Sequence, residues 1–346
     1  MLRPRLEWLL AFVPVVVALE LLHGPPTAVF VTAALAIVPL AGLIGTATEE
    51  LALHSGPQVG GLLNATFGNI TELIVAILLI AEGEIEIVKA SLTGSILGNI
   101  LLVLGLAFLV GGWGREEQTF SRHSANLYTA ALLIAVGGLL LPALFSLTPH
   151  STGLDEESVS VGVAIVLVMV YFANLLFYLR THRSLFHTTV EGEPRWTRSR
   201  AVSTLAASVA LVALISEFLV GAIEPAVEDF GISRIFVGLI VIPIIGNAAE
   251  HGAAVTLAAK DRIAISLEIA IGSSAQIALF VAPILVFVSL ALGNPMDFVF
   301  SGIEVAAVGL SVLILGFIVA DGRSNWLEGA QLLATYLIMA VAFFFL

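Results

Sequence analysis

Solid apolar blocks, most of them close to twenty residues long, alternate along this chain with short polar or turn-forming breaks. Eleven blocks are legible, at about 6–22, 27–53, 57–81, 87–111, 121–145, 158–180, 200–222, 233–258, 263–291, 297–320 and 326–345. About twenty apolar residues, rising about 1.5 Å each in a helix, cross the hydrocarbon of a bilayer. A transmembrane barrel would need strict alternation of apolar and polar residues, and these blocks do not alternate. The pattern predicts an all-α polytopic membrane protein with eleven transmembrane helices. The breaks carry turn residues or charge, as in Gly24-Pro25-Pro26, Ser55-Gly56-Pro57, Glu224 to Asp229 and Asp321-Gly322-Arg323.

One short stretch occurs twice. Gly68-Asn69-Ile70-Thr71-Glu72 lies in the third block, and Gly246-Asn247-Ala248-Ala249-Glu250 lies 178 residues later in the eighth. Gly94-Ser95 and Gly272-Ser273 keep the same offset, which indicates an internal duplication. A step of five helices is odd, so the two copies are expected to cross the membrane in opposite senses. The predicted layout is a leading helix (1–26), a first five-helix repeat (27–180), a cytoplasmic linker (181–199) and a second five-helix repeat (200–346). Inverted repeats of this kind are typical of secondary transporters, with the substrate site at the midplane between the halves.

Composition agrees with the blocks. Of 346 residues, 59% are hydrophobic and 12% charged, with mean hydropathy +1.06, against about 25% charged in a soluble domain. The absence of cysteine excludes disulfides and thiolate metal sites. With the N-terminus in the cytoplasm, Arg3, Arg5, Arg115, Arg122, Arg180, Arg183, Arg195, Arg198, Arg200, Lys260, Arg262 and Arg323 fall inside, and only Lys89 and Arg234 outside. That split follows the positive-inside rule. The opposite loops are acidic (Glu82, Glu84, Glu86; Asp155, Glu156, Glu157; Glu224, Glu228, Asp229) and read as a solvated rim. A net charge of −12 argues against nucleic acid and leaves cations and the lipid bilayer as partners. Arg3 and Arg5 precede the first block like a signal peptide, but Glu20 lies inside it and no cleavage site follows, so an uncleaved helix is expected. The compact chain points to a prokaryotic plasma membrane.

The repeated stretch carries the chemistry. Asn69 and Glu72 are three residues apart and share a helix face, as do Asn247 and Glu250. A charge at mid-membrane costs about 2.5–3.5 kcal/mol or more and is usually functional. Gly68, Gly246 and Pro243 are expected to break both helices and free backbone carbonyls. Ser95 and Asn99, with Ser273, Ser274 and Gln276, add hydroxyls and amides from the following helices. The candidate ligands are thus Glu72, Glu250, Asn69, Asn247, Gly68, Gly246, Ser95, Asn99, Ser273 and Gln276. Such oxygen donors suit calcium, which takes about 6–8 of them; zinc or copper would want His or Cys. His251 has Leu73 as its counterpart and points off the Glu250 face, so symmetry gives it no ligand role. Glu20, Glu217, Glu268 and Glu304 have no acidic counterpart and are expected to end helices or be locally hydrogen-bonded. No His-Glu-x-x-His occurs, and no base is evident beside Ser95 or Ser273, so an enzyme is not expected, nor a cofactor. A channel and a non-transporting cation sensor stay open.

The two stretches, with Gly94-Ser95-Ile96-Leu97-Gly98-Asn99 and Gly272-Ser273-Ser274-Ala275-Gln276, resemble the alpha-repeats of the calcium/proton exchanger family, within the cation/calcium exchanger superfamily. The resemblance covers about residues 27–345. It implies ten core helices in two inverted halves behind a first helix, with Glu72 and Glu250 binding calcium and protons alternately. It also implies that the second and seventh helices slide against the core. Ile70 stands where the family usually has Ala. The linker offers only Glu191 and Glu193, where some relatives carry an acidic helix. The neighbouring sodium/calcium exchangers have Gly-Thr-Ser motifs and core Asp residues that this chain lacks, which leaves sodium coupling as the alternative.

Overall fold

The computed structural model describes residues 6–148, 152–182 and 193–345. Arg3, Arg5, Arg183, Glu191 and most of the expected linker lie outside the described residues. Nine helices among them are long and apolar enough to cross a membrane. They are α2 (Pro26–Ser55), α5 (Ile85–Gly112), α6 (Arg122–Ser146), α7 (Gly153–Thr181), α8 (Arg198–Gly221), α10 (Arg234–Ala259), α11 (Ile263–Leu292), α12 (Gly302–Asp321) and α13 (Trp326–Phe344). The chain is an integral membrane protein built of helices. Its one extended pairing joins β1 (Gln118–Thr119) to β2 (Arg323–Ser324).

Four predicted segments differ in detail. The first is a 3-10 turn, Leu6–Ala11, followed by a short α1, Phe12–Leu21. The third is two helices, α3 (Pro57–Phe67) and α4 (Ile70–Ala81), because the ladder stops at Gly68-Asn69. The break expected at 224–229 instead carries a short helix, α9 (Ile223–Phe230), closed by left-handed Gly231. Last, α12 begins at Gly302 rather than near 297, where Ser301 and Glu304 form a reciprocal capping box. Residues 293–301 run extended before it, with Met296, Phe298 and Phe300 buried.

The element bounds recur at the offset of the motifs. Helices α4 and α10 end at Ala81 and Ala259, and α5 and α11 begin at Ile85 and Ile263, each pair 178 residues apart. Wider π-helical turns interrupt α5 at Gly98–Val103 and α11 at Ile277–Val281. The turn that follows each motif helix uses a positive φ, +80° at Gly83 and +65° at Asp261.

Polar contacts define two ends. At one, the linker face, Glu50 Oε2 accepts from the backbone N–H groups of Arg195 (2.9 Å) and Trp196 (3.0 Å), and Gln118 Nε2 donates to Asp261 (3.0 Å). At the opposite or far face, Asn294 Nδ2 donates to the carbonyl of Ile80 at 2.8 Å, and Lys89 pairs with Asp297 at 2.5 Å. In the middle, α5 passes against α10 so closely that a Cβ on Gly94 would stand 1.9 Å from the Leu239 carbonyl oxygen. Only glycine permits that approach, and it brings the next residue, Ser95, to α10.

Candidate cation site

Glycine and glutamate of the two motifs exchange places across the centre of the molecule. A Cβ on Gly246 would lie 3.1 Å from Glu72 Oε1, and one on Gly68 would lie 3.6 Å from Glu250 Oε1. Each glutamate therefore rests on the glycine of the other motif. Their charges are close enough to interact. Both side chains are partly exposed, yet each keeps one oxygen, Oε2, buried without a hydrogen-bond partner.

Around them the amides and hydroxyls pair across the halves. Asn69 Nδ2 donates to Gln276 Oε1 at 2.7 Å, and Ser273 Oγ donates to Asn69 Oδ1 at 3.3 Å. Asn247 Nδ2 donates to Ser95 Oγ at 3.4 Å and to the Pro243 carbonyl at 3.0 Å. The Asn–Ser pairing occurs twice, once in each direction. The decoration is not symmetric. The Asn69 oxygen is occupied by Ser273, whereas the Asn247 oxygen is buried without a partner. Ser273 also reaches the Glu250 carboxylate. Beside Glu72 lies a cavity of about 10 Å³, bordered by Ser91 and Ser95, room for about one water.

The expectation of two broken helices holds in the first motif only. Asn69 sits at the break ahead of α4, with φ −106° and ψ 20°. The second motif continues through regular helix in α10, where Pro243 occupies the first turn after a π-helical stretch, Val237–Val241. A proline there has no N–H to lose from the ladder, so the helix is widened rather than broken.

His251 was expected to point away, and the structure corrects this: its Nε2 lies 3.1 Å from Asn99 Oδ1. The signal was present in the spacing. Ser95 and Asn99 are four residues apart, as are Asn247 and His251, so two helices meet at two successive rungs. Glu304 is the capping group of α12 and also receives Thr93 Oγ1 at 3.4 Å, as a locally bonded acid should.

Three acceptor oxygens thus stand buried and unpartnered: Glu72 Oε2, Glu250 Oε2 and Asn247 Oδ1. Buried acceptors of this kind are expensive unless a proton or a cation meets them. No cluster of three His, Cys, Asp or Glu residues occurs among the described residues, so a cation here would be held largely by neutral oxygens and two charges.

The sequence model of the family described as "Sodium/calcium exchanger protein" matches residues 25–180 and 200–345. The chain belongs to this family. Within the family it is similar to calcium/proton exchangers. It is 48% identical to the Ca(2+)/H(+) antiporter of Synechocystis sp. (97% of this chain, 96% of that one). It is 43% identical to the Ca(2+)/H(+) antiporter ChaA of Bacillus subtilis (97% of each). The solved structure of native YfkE superposes with a TM-score of 0.88 at 40% identity, covering 99% of this chain and 100% of that one. The exchanger family's two matched stretches meet between residues 180 and 200, where the linker was expected.

Proposed function

We propose that this protein is a calcium/proton antiporter that works by alternating access, with Glu72 and Glu250 carrying calcium or protons in turn. Its relatives named above are calcium/proton antiporters over nearly their whole length. The observation that carries the mechanism is the reciprocal seat of the two glutamates, with three buried oxygens unpartnered around it.

The coupling follows from charge. Two ionised carboxylates short of water repel each other and are poorly solvated, so the empty site is costly. Two protons neutralise the pair, and one divalent cation neutralises it equally. The site is stable in these two forms, and the glutamates cannot hold both loads. If only loaded sites cross between the two faces, exchange is obligatory without any further coupling device. Asn69, Asn247, Ser95, Asn99, Ser273, Gln276 and the backbone at Gly68 and Gly246 complete the proposed oxygen shell for calcium.

In the proposed layout α1 leads, and two five-helix halves of opposite topology follow, split by the linker. The split α3–α4 counts as one crossing, giving eleven, with the N-terminus and linker in the cytoplasm. The basic residues of the linker face support this orientation, and a bacterial plasma membrane suits the relatives' sources.

The test is calcium uptake into vesicles holding the purified protein, in sodium-free buffer, with an acid interior. Uptake should depend on the imposed pH gradient and collapse with a protonophore. Uptake that follows a sodium gradient when protons leak freely would replace this reading with sodium coupling. Flux that only equilibrates calcium, with no dependence on the pH gradient, would mean a channel.

A further inference from the structure

Equivalent positions of the two halves should be equally buried if the site were closed alike at both ends. They are not. Val59 of α3 is 50% exposed, while Val237, 178 residues on, is fully buried. Asn64 is exposed and its counterpart Ile242 is buried. Ala253 is exposed, and its counterpart Val75 is buried. The loose positions lie toward the linker face and the tight ones toward the far face.

The far face carries a set of polar ties that the linker face lacks. Arg234, at the start of α10, donates through Nη1 to Glu84 Oε2 (3.1 Å) and Oε1 (3.3 Å), and pairs through Nη2 with Glu224 on α9. Thr27, at the start of α2, donates to Asp229 of α9 at 2.5 Å. Glu84 belongs to the turn between the motif helix α4 and α5. Glu224 belongs to the short helix that continues α8, which lies along α2. Arg234 therefore ties the motif-bearing helices to the α2–α8 pair. The counterparts of Glu224, Arg234 and Glu84 at the same offset are Thr46, Gly56 and Arg262, which cannot form this ion pair.

We infer that the Arg234–Glu224 pair, with Glu84 holding the guanidinium in place, is a one-sided latch that keeps the far face closed and biases the resting protein toward the linker-open state. This rests on the alternating-access reading above. An exposed ion pair contributes little to folding. Here it is set against the small difference between two working states, where a factor of a few changes which one predominates. Because the pair is exposed, salt weakens it.

The absence of cysteine allows a direct test with single-cysteine reporters at Asn64 and Ile242, labelled by a membrane-impermeant maleimide from either side of vesicles. Arg234→Gln is expected to lower labelling at position 64 and raise it at 242 by about two- to fivefold. Glu224→Gln should do the same, and the double variant should add nothing further. Raising salt should shift the wild type in that direction and leave the variants where they are. Unchanged labelling at 64 in Arg234→Gln overturns the latch, and so does full additivity of the two substitutions. The readout requires no transport, so a failure of calcium/proton exchange in the wild type would be seen separately, in the flux assay.

Discussion

Gly246 leaves room for Glu72: an added Cβ would sit 3.1 Å from Oε1 and 3.4 Å from both Cδ and Cγ. That is contact with a flexible side chain, so Gly246→Ala should fold and displace the carboxylate by a few tenths of an ångström. Apparent calcium affinity should fall roughly tenfold, measured by isothermal titration on purified protein. Gly137→Ala, where a Cβ meets nothing within 4 Å, is the control and should bind as the wild type does.

Removing either charge should be far more severe. Glu72→Gln and Glu250→Gln keep the shape and lose the titratable oxygen pair. Each should reduce exchange by about 100-fold or more, the equivalent of about 3 kcal/mol. Near wild-type flux in either variant, with unchanged pH dependence, would mean that the coupling lies elsewhere.

Acidity should act by competition. Protons and calcium claim the same carboxylates, so calcium binding should weaken as pH falls through the range in which the pair loads protons. The slope is bounded at about tenfold per pH unit for each proton displaced. A calcium titration repeated at several pH values reads it directly. Glu72→Gln leaves one titratable group, so residual binding should follow a shallower slope.

Gly94→Ala tests packing rather than ligation. Its Cβ would meet the Leu239 carbonyl oxygen at 1.9 Å and Pro243 Cγ at 2.7 Å. The oxygen belongs to helix backbone and cannot swing aside, so α5 and α10 must separate. Overpacking of this kind typically costs about 1–3 kcal/mol, which should appear as a lower thermal midpoint in detergent. Exchange should fall as well, because Ser95 moves away from Asn247.

Glu50 is buried at the linker face and takes two backbone N–H groups, those of Arg195 and Trp196. His54 Nε2 lies 2.7 Å from the Trp196 carbonyl, and Arg200 stacks over the Trp196 ring. Glu50→Ala should leave those N–H groups unmade at a cost of about 1–3 kcal/mol. Faster trypsin cleavage at Arg195 and Arg198 is the expected readout. Unchanged cleavage would mean that packing of α8 alone holds this end.

The apolar blocks, the repeated Gly-Asn-x-x-Glu stretch and the constant offset were all legible in the sequence, because bilayer thickness and duplication leave marks along the chain. So were the family and the two glutamates, whose burial in apolar surroundings has few explanations other than function. What the sequence could not decide was which groups touch. That Gly246 seats Glu72 while Gly68 seats Glu250 depends on how two halves 178 residues apart pack, and no local pattern encodes it. The same holds for the unequal breaks: Gly68 interrupts its helix and Gly246 does not, since neighbouring helices, rather than propensity, determine whether a glycine bends the backbone. The one-sided pairing of Arg234 likewise appears only when α9 and α10 are brought to the same face. Local residue choice fixed the helices and the chemistry, and long-range packing fixed the partners.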